Sequence, residues 1–298
     1  MTILETPAER FKDLPGYPFA PHFKEVAPGI NMHYVDEGDP SAPVALLLHG
    51  EPSWSYLYRK MIPGIVAAGY RAVAPDLIGF GKSSKPSERS DYSYQTHLQW
   101  LGTLIEQLDL QHIHLFCQDW GGLLGLRLAL QMENRFDSII ASNTTLPTGQ
   151  IPMPPAFQQW RDFSQNVPEF PTGKIIDGGT ATELSPAVIA AYDAPFPDES
   201  YKAGARIFPA LVPSEADEPE AINNQQAWAQ YSQWQKPVLT LFGDSDPIMK
   251  GGDVFFHKII PGCKGQPHEI IPQGGHFIQE DQGELLAEKM VAFIKSIA

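Results

Sequence analysis

The chain has 298 residues, 43% hydrophobic and 19% charged, a globular composition with length for one α/β core plus an insertion. A net charge of −14 argues against nucleic acid or an anionic membrane surface as partner. Two cysteines make no disulfide framework, and no apolar run approaches the roughly 20 residues of a membrane span. Met1 to Arg10 lacks a signal pattern, so the expectation is a soluble, cytoplasmic protein.

The first thirty residues carry Pro7, Pro15, Pro18, Pro21 and Pro28, which predicts an extended segment wrapped on the surface. Ile30 to Val35 alternates as an edge strand does. Val44 to Leu48 is a continuous apolar run, expected of a central parallel strand covered on both faces. It ends at His49-Gly50-Glu51-Pro52, and Ser53 or Ser55 is placed to cap a helix through Tyr58, Met61 and Val66. Arg71 to Pro75 is the next strand, and Tyr94 to Leu108 has helical spacing of Leu98, Leu101, Leu104, Ile105 and Leu108. A short apolar run from Ile113 reaches Cys117-Gln118-Asp119-Trp120-Gly121-Gly122, followed by a buried-looking helix. Ser138 to Ser142 is another strand.

From residue 146 to 212 prolines and aromatics recur and no buried-strand run appears, which predicts a helical cap inserted into a core of residues 1–145 and 213–298. The linker from Pro213 to Pro219 looks solvated. Strands resume at Val238 to Phe242 and His268 to Ile271, and Leu285 to Ile297 is a closing amphipathic helix. Alternating strands and helices imply a doubly wound, mostly parallel sheet, with its ligand site beyond the carboxyl ends of the strands. His49, Asp119, Asp246 and His276 all fall there.

Small residues two before and two after Asp119 fit a tight strand-to-helix turn, a nucleophile elbow with Asp in place of Ser. The alternative is that Asp119 only caps the next helix. The chain order Asp119, Asp246, His276 is that of nucleophile, acid and histidine in an α/β-hydrolase. Asp244 rivals Asp246 as the acid. The glycine pair before His276 is expected to let the backbone turn. A carboxylate nucleophile suits displacement at saturated carbon, giving an alkyl ester. His276 then takes a proton from the water that attacks that ester. Two N–H donors, of Trp120 and of Glu51, are candidates for the oxyanion site. The Glu51 side chain either holds water or is a loop surface group. A departing halide needs donors in a dry pocket, and the indole N–H groups of Trp120 and Trp160 are candidates; ordinary packing is the alternative for Trp160.

On these residues the chain resembles haloalkane dehalogenases of the α/β-hydrolase fold. The resemblance is carried by His49 to Arg59, Asp76 to Ser83, Gln118 to Gly122, Gly275-His276-Phe277 and the segment Tyr192 to Pro197. It is closest to the subfamily with Glu after His-Gly and a cap tryptophan as second halide ligand. It implies hydrolysis of haloalkanes to a primary alcohol, halide and a proton, a detoxifying role, no cofactor, no metal and a monomer. It also implies pocket roles for Leu123, Phe157, Phe208, Pro209 and Val212, with Leu123 standing where a relative carries a larger aromatic. Three rivals compete. An epoxide hydrolase needs two cap tyrosines, for which Tyr192 and Tyr201 are available. A fluoroacetate dehalogenase wants arginines beside the nucleophile, and none lies nearer in sequence than Arg127. A non-catalytic binding protein sits poorly with an intact Asp119, Asp246 and His276.

Overall fold

Five consecutive apolar residues, Val44 to Leu48, run through the middle of the main sheet and are buried along their whole length. The computed structural model describes residues 1–297. The first half of the chain holds β1 (Ile3–Leu4), β2 (His22–Ala27), β3 (Ile30–Glu37), β4 (Val44–Leu48), α1 (Ile62–Ala67), β5 (Arg71–Pro75) and β6 (Lys85–Pro86). Next come α2 (Tyr94–Gln107), β7 (Ile113–Gln118), α3 (Trp120–Gln131) and β8 (Phe136–Ser142). Four helices follow without a strand: α4 (Pro155–Asn166), α5 (Thr172–Gly179), α6 (Pro186–Asp193) and α7 (Ala203–Leu211). The chain closes with α8 (Pro219–Tyr231), β9 (Val238–Gly243), α9 (Asp253–Ile259), β10 (Glu269–Ile271) and α10 (Ile278–Ile297).

Eight strands form the main sheet in the order β10-β9-β8-β7-β4-β5-β3-β2. β3 runs antiparallel to both β2 and β5; every other neighbouring pair is parallel. The result is an α/β architecture with a mostly parallel sheet. β4, β7 and β9 are buried at every residue, as strands covered by helices on both faces must be. Parallel register brings Leu48 beside Cys117 and Gln118 beside Ser142. The residues just past these strands therefore share one end of the sheet.

The N-terminal expectations need correction. Residues 22–27 form the outermost strand, and Ile30–Glu37 is interior, between β2 and β5. The prolines bracket β2 without entering it, so they cost it no ladder hydrogen bond. Neither serine caps a helix. Trp54 precedes a 3-10 turn over Ser55–Tyr58 with no side-chain cap bond. Ser53 Oγ instead donates to the Gly50 carbonyl, and Ser55 Oγ pairs with the Tyr17 hydroxyl at 2.7 Å. α2 is capped by Ser93, which forms a reciprocal pair with Thr96. α10 starts at Ile278 rather than Leu285, because non-helical Gln282 separates a first turn from the amphipathic stretch. α8 left little trace in the sequence: its thirteen residues are largely small or polar, yet it buries Ala221, Asn224, Ala227, Trp228 and Tyr231.

Among the described residues no helix is long and apolar enough to cross a membrane. Between β8 and α8, α5 packs on α6 and α4 packs on α7. Arg161 of α4 ties that pair to the returning chain by donating to the Pro209 and Val212 carbonyls.

Candidate active site

Asp119 sits at the turn between β7 and α3 with φ 49° and ψ −126°, a strained backbone for a residue with a side chain. The turn closes because its neighbours are glycines. A Cβ on Gly121 would strike the Leu48 carbonyl, and one on Gly122 would strike the Thr144 side chain. Asp119 does not cap α3 through its carboxylate. Its Oδ1 accepts the backbone N–H of Glu51 at 2.8 Å instead. Gly50 makes that approach possible, since any Cβ there would overlap the Asp119 carboxyl group.

The loop carrying Glu51 is locked from below. Buried His49 donates from Nδ1 to the Gly50 carbonyl and accepts the Leu77 N–H on Nε2. Asp76, fully buried, accepts the N–H groups of Ser55 and Lys82 and bonds His33 Nδ1 at 2.7 Å. Burial works against the Asp76 charge, but His33, His49 and these donors hold its carboxyl below the usual range.

His276 Nδ1 lies 2.9 Å from Asp246 Oδ2, and its Nε2 lies 3.6 Å from Asp119 Oδ2. Asp246 also accepts the N–H groups of Ile248 and Met249. Its rival Asp244 is only partly buried and bonds Ser245 Oγ. Burial lowers the His276 pKa, but Asp246 and then Asp119 outweigh it and raise the group to about 10. Burial would raise Asp246, but the His276 contact lowers it. Glu51 is not a loop surface group: it is buried, and one carboxyl oxygen has no protein partner. Burial, reinforced by Asp119 and opposed by His276, pushes its carboxyl well above the usual range.

The glycines before His276 do other work than expected. The left-handed residue of that loop is Gln273, at φ 54°. Gly274 and Gly275 are required for close approach: a Cβ on Gly275 would meet the Gly179 carbonyl at 2.6 Å. Two residues to which the sequence reading gave no role hold this loop. Asn143 donates from Nδ2 to the Gly275 and His276 carbonyls, and Gln118 Nε2 donates to the His276 carbonyl at 3.0 Å. Gln118 stands beside Asp119 in sequence, but an amide side chain carries no motif signal for such a contact.

Trp120 is buried, its ring stacked on Phe208 with centroids 4.3 Å apart. Trp160, partly buried, packs against Phe163 and Phe170. It does not stack on Trp120. The two are connected through packing of α4 on α7, which carries Phe208. Trp54 and Trp228 donate their indole N–H to the carbonyls of Ala191 and Leu146. Among the described residues, Trp120 and Trp160 donate to no protein acceptor. A free indole N–H does not by itself mark a site, since Trp234 Nε1 is buried with no partner. Leu123, Phe208, Pro209 and Val212 are buried, and Phe157 is partly buried. A surface hollow of about 670 Å³ lies elsewhere, against Arg89, Gln165 and Arg206. Arg206 there is already bound to Glu199 and to the Ser164 and Pro168 carbonyls.

A profile of the alpha/beta hydrolase fold matches residues 43–282. The chain is 56% identical to a haloalkane dehalogenase of Psychrobacter cryohalolentis, over 99% of this chain and 98% of that one. The chain belongs to the haloalkane dehalogenases. It is 48% identical to the Mycobacterium marinum haloalkane dehalogenase, over 98% of this chain and all of that one. A haloalkane dehalogenase from Paraglaciecola agarilytica, described as tetrameric, superimposes with a TM-score of 0.90 at 39% identity, covering 98% of both chains. As a haloalkane dehalogenase the chain is a hydrolase acting on carbon–halogen bonds. Of the two tyrosines that an epoxide hydrolase would require, Tyr192 is otherwise engaged: its hydroxyl is buried and donates to Glu280, which also pairs with Arg59. Arg127 is held by Glu220 and Asn224.

Proposed function

We propose that this haloalkane dehalogenase works through a covalent alkyl ester on Asp119. The carboxylate attacks the halogen-bearing carbon, the new C–O bond forms, and the halide leaves with the bonding pair. Water then adds to Asp119 Cγ, and the alkyl oxygen leaves as a primary alcohol. The observation that carries the reading is the placement of Asp119 between the His276 ring on one oxygen and the Glu51 N–H on the other.

The electrostatics support an ordered use of His276. With a pKa near 10 it rests as imidazolium at neutral pH. A carboxylate nucleophile needs no base to activate it. Esterification removes the Asp119 charge, and with it one of the two interactions that hold the proton on His276. Burial then lowers the imidazole pKa, the proton goes to solvent, and Nε2 accepts a proton from the attacking water. Asp246 fixes the tautomer and stabilises the imidazolium that forms. The balance is haloalkane and water in, alcohol, halide and one proton out. Negative charge grows on Asp119 Oδ1 during hydrolysis, where the Glu51 N–H already lies 2.8 Å away. The Trp120 N–H is the second donor in this proposal. Glu51, its buried carboxyl favouring the neutral form, positions the water.

Trp120 and Trp160 receive the halide through their indole N–H groups, which no protein acceptor holds among the described residues. Residues 146–212 act as a cap over a core of 1–145 and 213–298, and Leu123, Phe157, Phe208, Pro209 and Val212 line the pocket. The enzyme acts as a monomer in the cytoplasm, detoxifies halogenated compounds and needs no cofactor. Light scattering tests the monomer, and the tetrameric Paraglaciecola relative defines the opposing result.

His276→Phe should release one equivalent of halide from a 1-bromoalkane and leave the alkyl group on Asp119 as a mass adduct. Asp119→Ala should release none. Sustained turnover by His276→Phe would overturn the scheme.

A further inference from the structure

The carboxylate of Asp281 joins the His276 loop to the α5–α6 connection. Its Oδ2 accepts the Gly275 N–H at 2.8 Å and the Ala181 N–H at 2.9 Å. Its Oδ1 accepts the Thr182 N–H at 2.9 Å and the Thr182 hydroxyl at 2.6 Å. Asp281 belongs to the first turn of α10, where any acid is favoured by the helix dipole. That role would not aim the group at other segments, yet all four donors lie outside α10.

The contacts fall on the peptides that set the direction of the imidazole. The Gly275 and His276 carbonyls are held by Asn143 and Gln118. The Phe277 N–H donates to the Gly179 carbonyl at 3.2 Å. The Gly275 N–H goes to Asp281, and the Gly274 carbonyl of the same peptide accepts the Ser245 N–H at 3.0 Å. The surfaces interlock without spare room. A Cβ on Gly275 would meet Ala181 N at 2.7 Å, and one on Gly179 would meet the Phe277 ring at 2.6 Å. Without Asp281, the Gly275 N–H and the Ala181 and Thr182 N–H groups lose their shared acceptor, while the Phe277 N–H to Gly179 carbonyl bond between the segments stays. The imidazole then swings on a looser loop, while Asp119, held by Glu51 and by Asn143, keeps its place.

We propose that Asp281 is a positioning residue for His276, acting through the Gly275 peptide and coupling it to the α5–α6 connection. This rests on the two-step reading above, in which only ester hydrolysis needs His276 as a base. Loss of Asp281 therefore slows hydrolysis more than alkylation.

The test is single-turnover kinetics on the full chain with a 1-bromoalkane, following halide release for alkylation and the intact-protein mass for the ester. Asp281→Ala is expected to slow ester decay by about tenfold or more, since small displacements of a reacting group carry penalties of that order. Halide release in the first turnover should change by less than about threefold on the same scale. The ester mass should then be visible in steady state, where wild type shows less of it. Asp281→Asn preserves shape and offers one acceptor oxygen in place of two, so it should show the same split to a smaller degree. It decides the matter if Asp281→Ala does not fold. A uniform slowing of both steps, or unchanged ester decay in the folded variants, overturns the proposal. His276→Phe run alongside separates the two levels: if that variant traps no ester, the two-step reading fails. If it traps ester and the Asp281 variants do not accumulate it, only the positioning role fails.

Discussion

The backbone N–H of Glu51 reaches Asp119 Oδ1 at 2.8 Å, although 68 residues separate them. The loop after β4 and the turn after β7 meet there because the two strands are parallel neighbours ending level, Leu48 beside Cys117. In the proposed mechanism this N–H is an oxyanion donor in place before any substrate arrives, which is preorganisation in its energetic sense.

Gly50 is the residue this closeness depends on. Gly50→Ala forces a methyl group into the Asp119 carboxyl group, so Asp119 or the loop must move. Dehalogenation should fall by about a hundredfold, the scale expected of a misplacement near 1 Å. Halide-release assays measure it, and circular dichroism should still report a folded chain.

Asp246 orients His276 and contributes most to its raised pKa. Asp246→Asn should leave alkylation nearly intact and slow ester hydrolysis by about a hundredfold or more, by the logic of an orienting carboxylate in a triad. Intact-protein mass spectrometry during turnover should show the alkyl adduct. Asp244→Asn, on a partly buried neighbour that does not touch the ring, should turn over normally.

Tyr192→Phe separates the activity of this enzyme from epoxide chemistry. The hydroxyl lies in a buried cluster with Glu280 and Arg59. Its removal should cost about 1.5–3 kcal/mol of stability, the usual scale for a hydrogen bond to a charged group. Dehalogenation should persist. Denaturant unfolding and a halide assay read the two effects separately.

Stability between pH 7 and 10 should reflect opposed groups, His276 and Lys85 among them. His276 is raised to about 10 from an ordinary 6.5, so its contribution is full below 6.5 and fades as pH climbs toward 10. Lys85 is buried, its ammonium contacting only the Gly81 and Ser83 carbonyls, and burial lowers it to about 7 from 10.5. In that window the unfolded lysine binds more protons than the folded one, so stability rises with pH. The two slopes offset. Lys85→Met removes the rising one, and the melting temperature should then fall more steeply from pH 7 to pH 10 than in wild type.

Much of the architecture was legible because it is written locally. Apolar runs such as Val44 to Leu48, short and bounded by turn residues, read as buried strands, and small residues around Asp119 permit the turn it occupies. The catalytic candidates Asp119, Asp246 and His276 followed from chain order at strand ends, and the structure brings these three together. Tertiary structure decided what depends on distant partners. Asp246 and Asp244 are alike in sequence, and only the return of the chain after β10 brings His276 to one of them. Glu51 became a buried acid, and Gly275 a contact glycine rather than a turn glycine, because other segments close over them. Asn143, Gln118 and Asp281 act through backbone groups of remote residues, and a hydrogen bond to a backbone carries no side-chain pattern by which sequence could announce it.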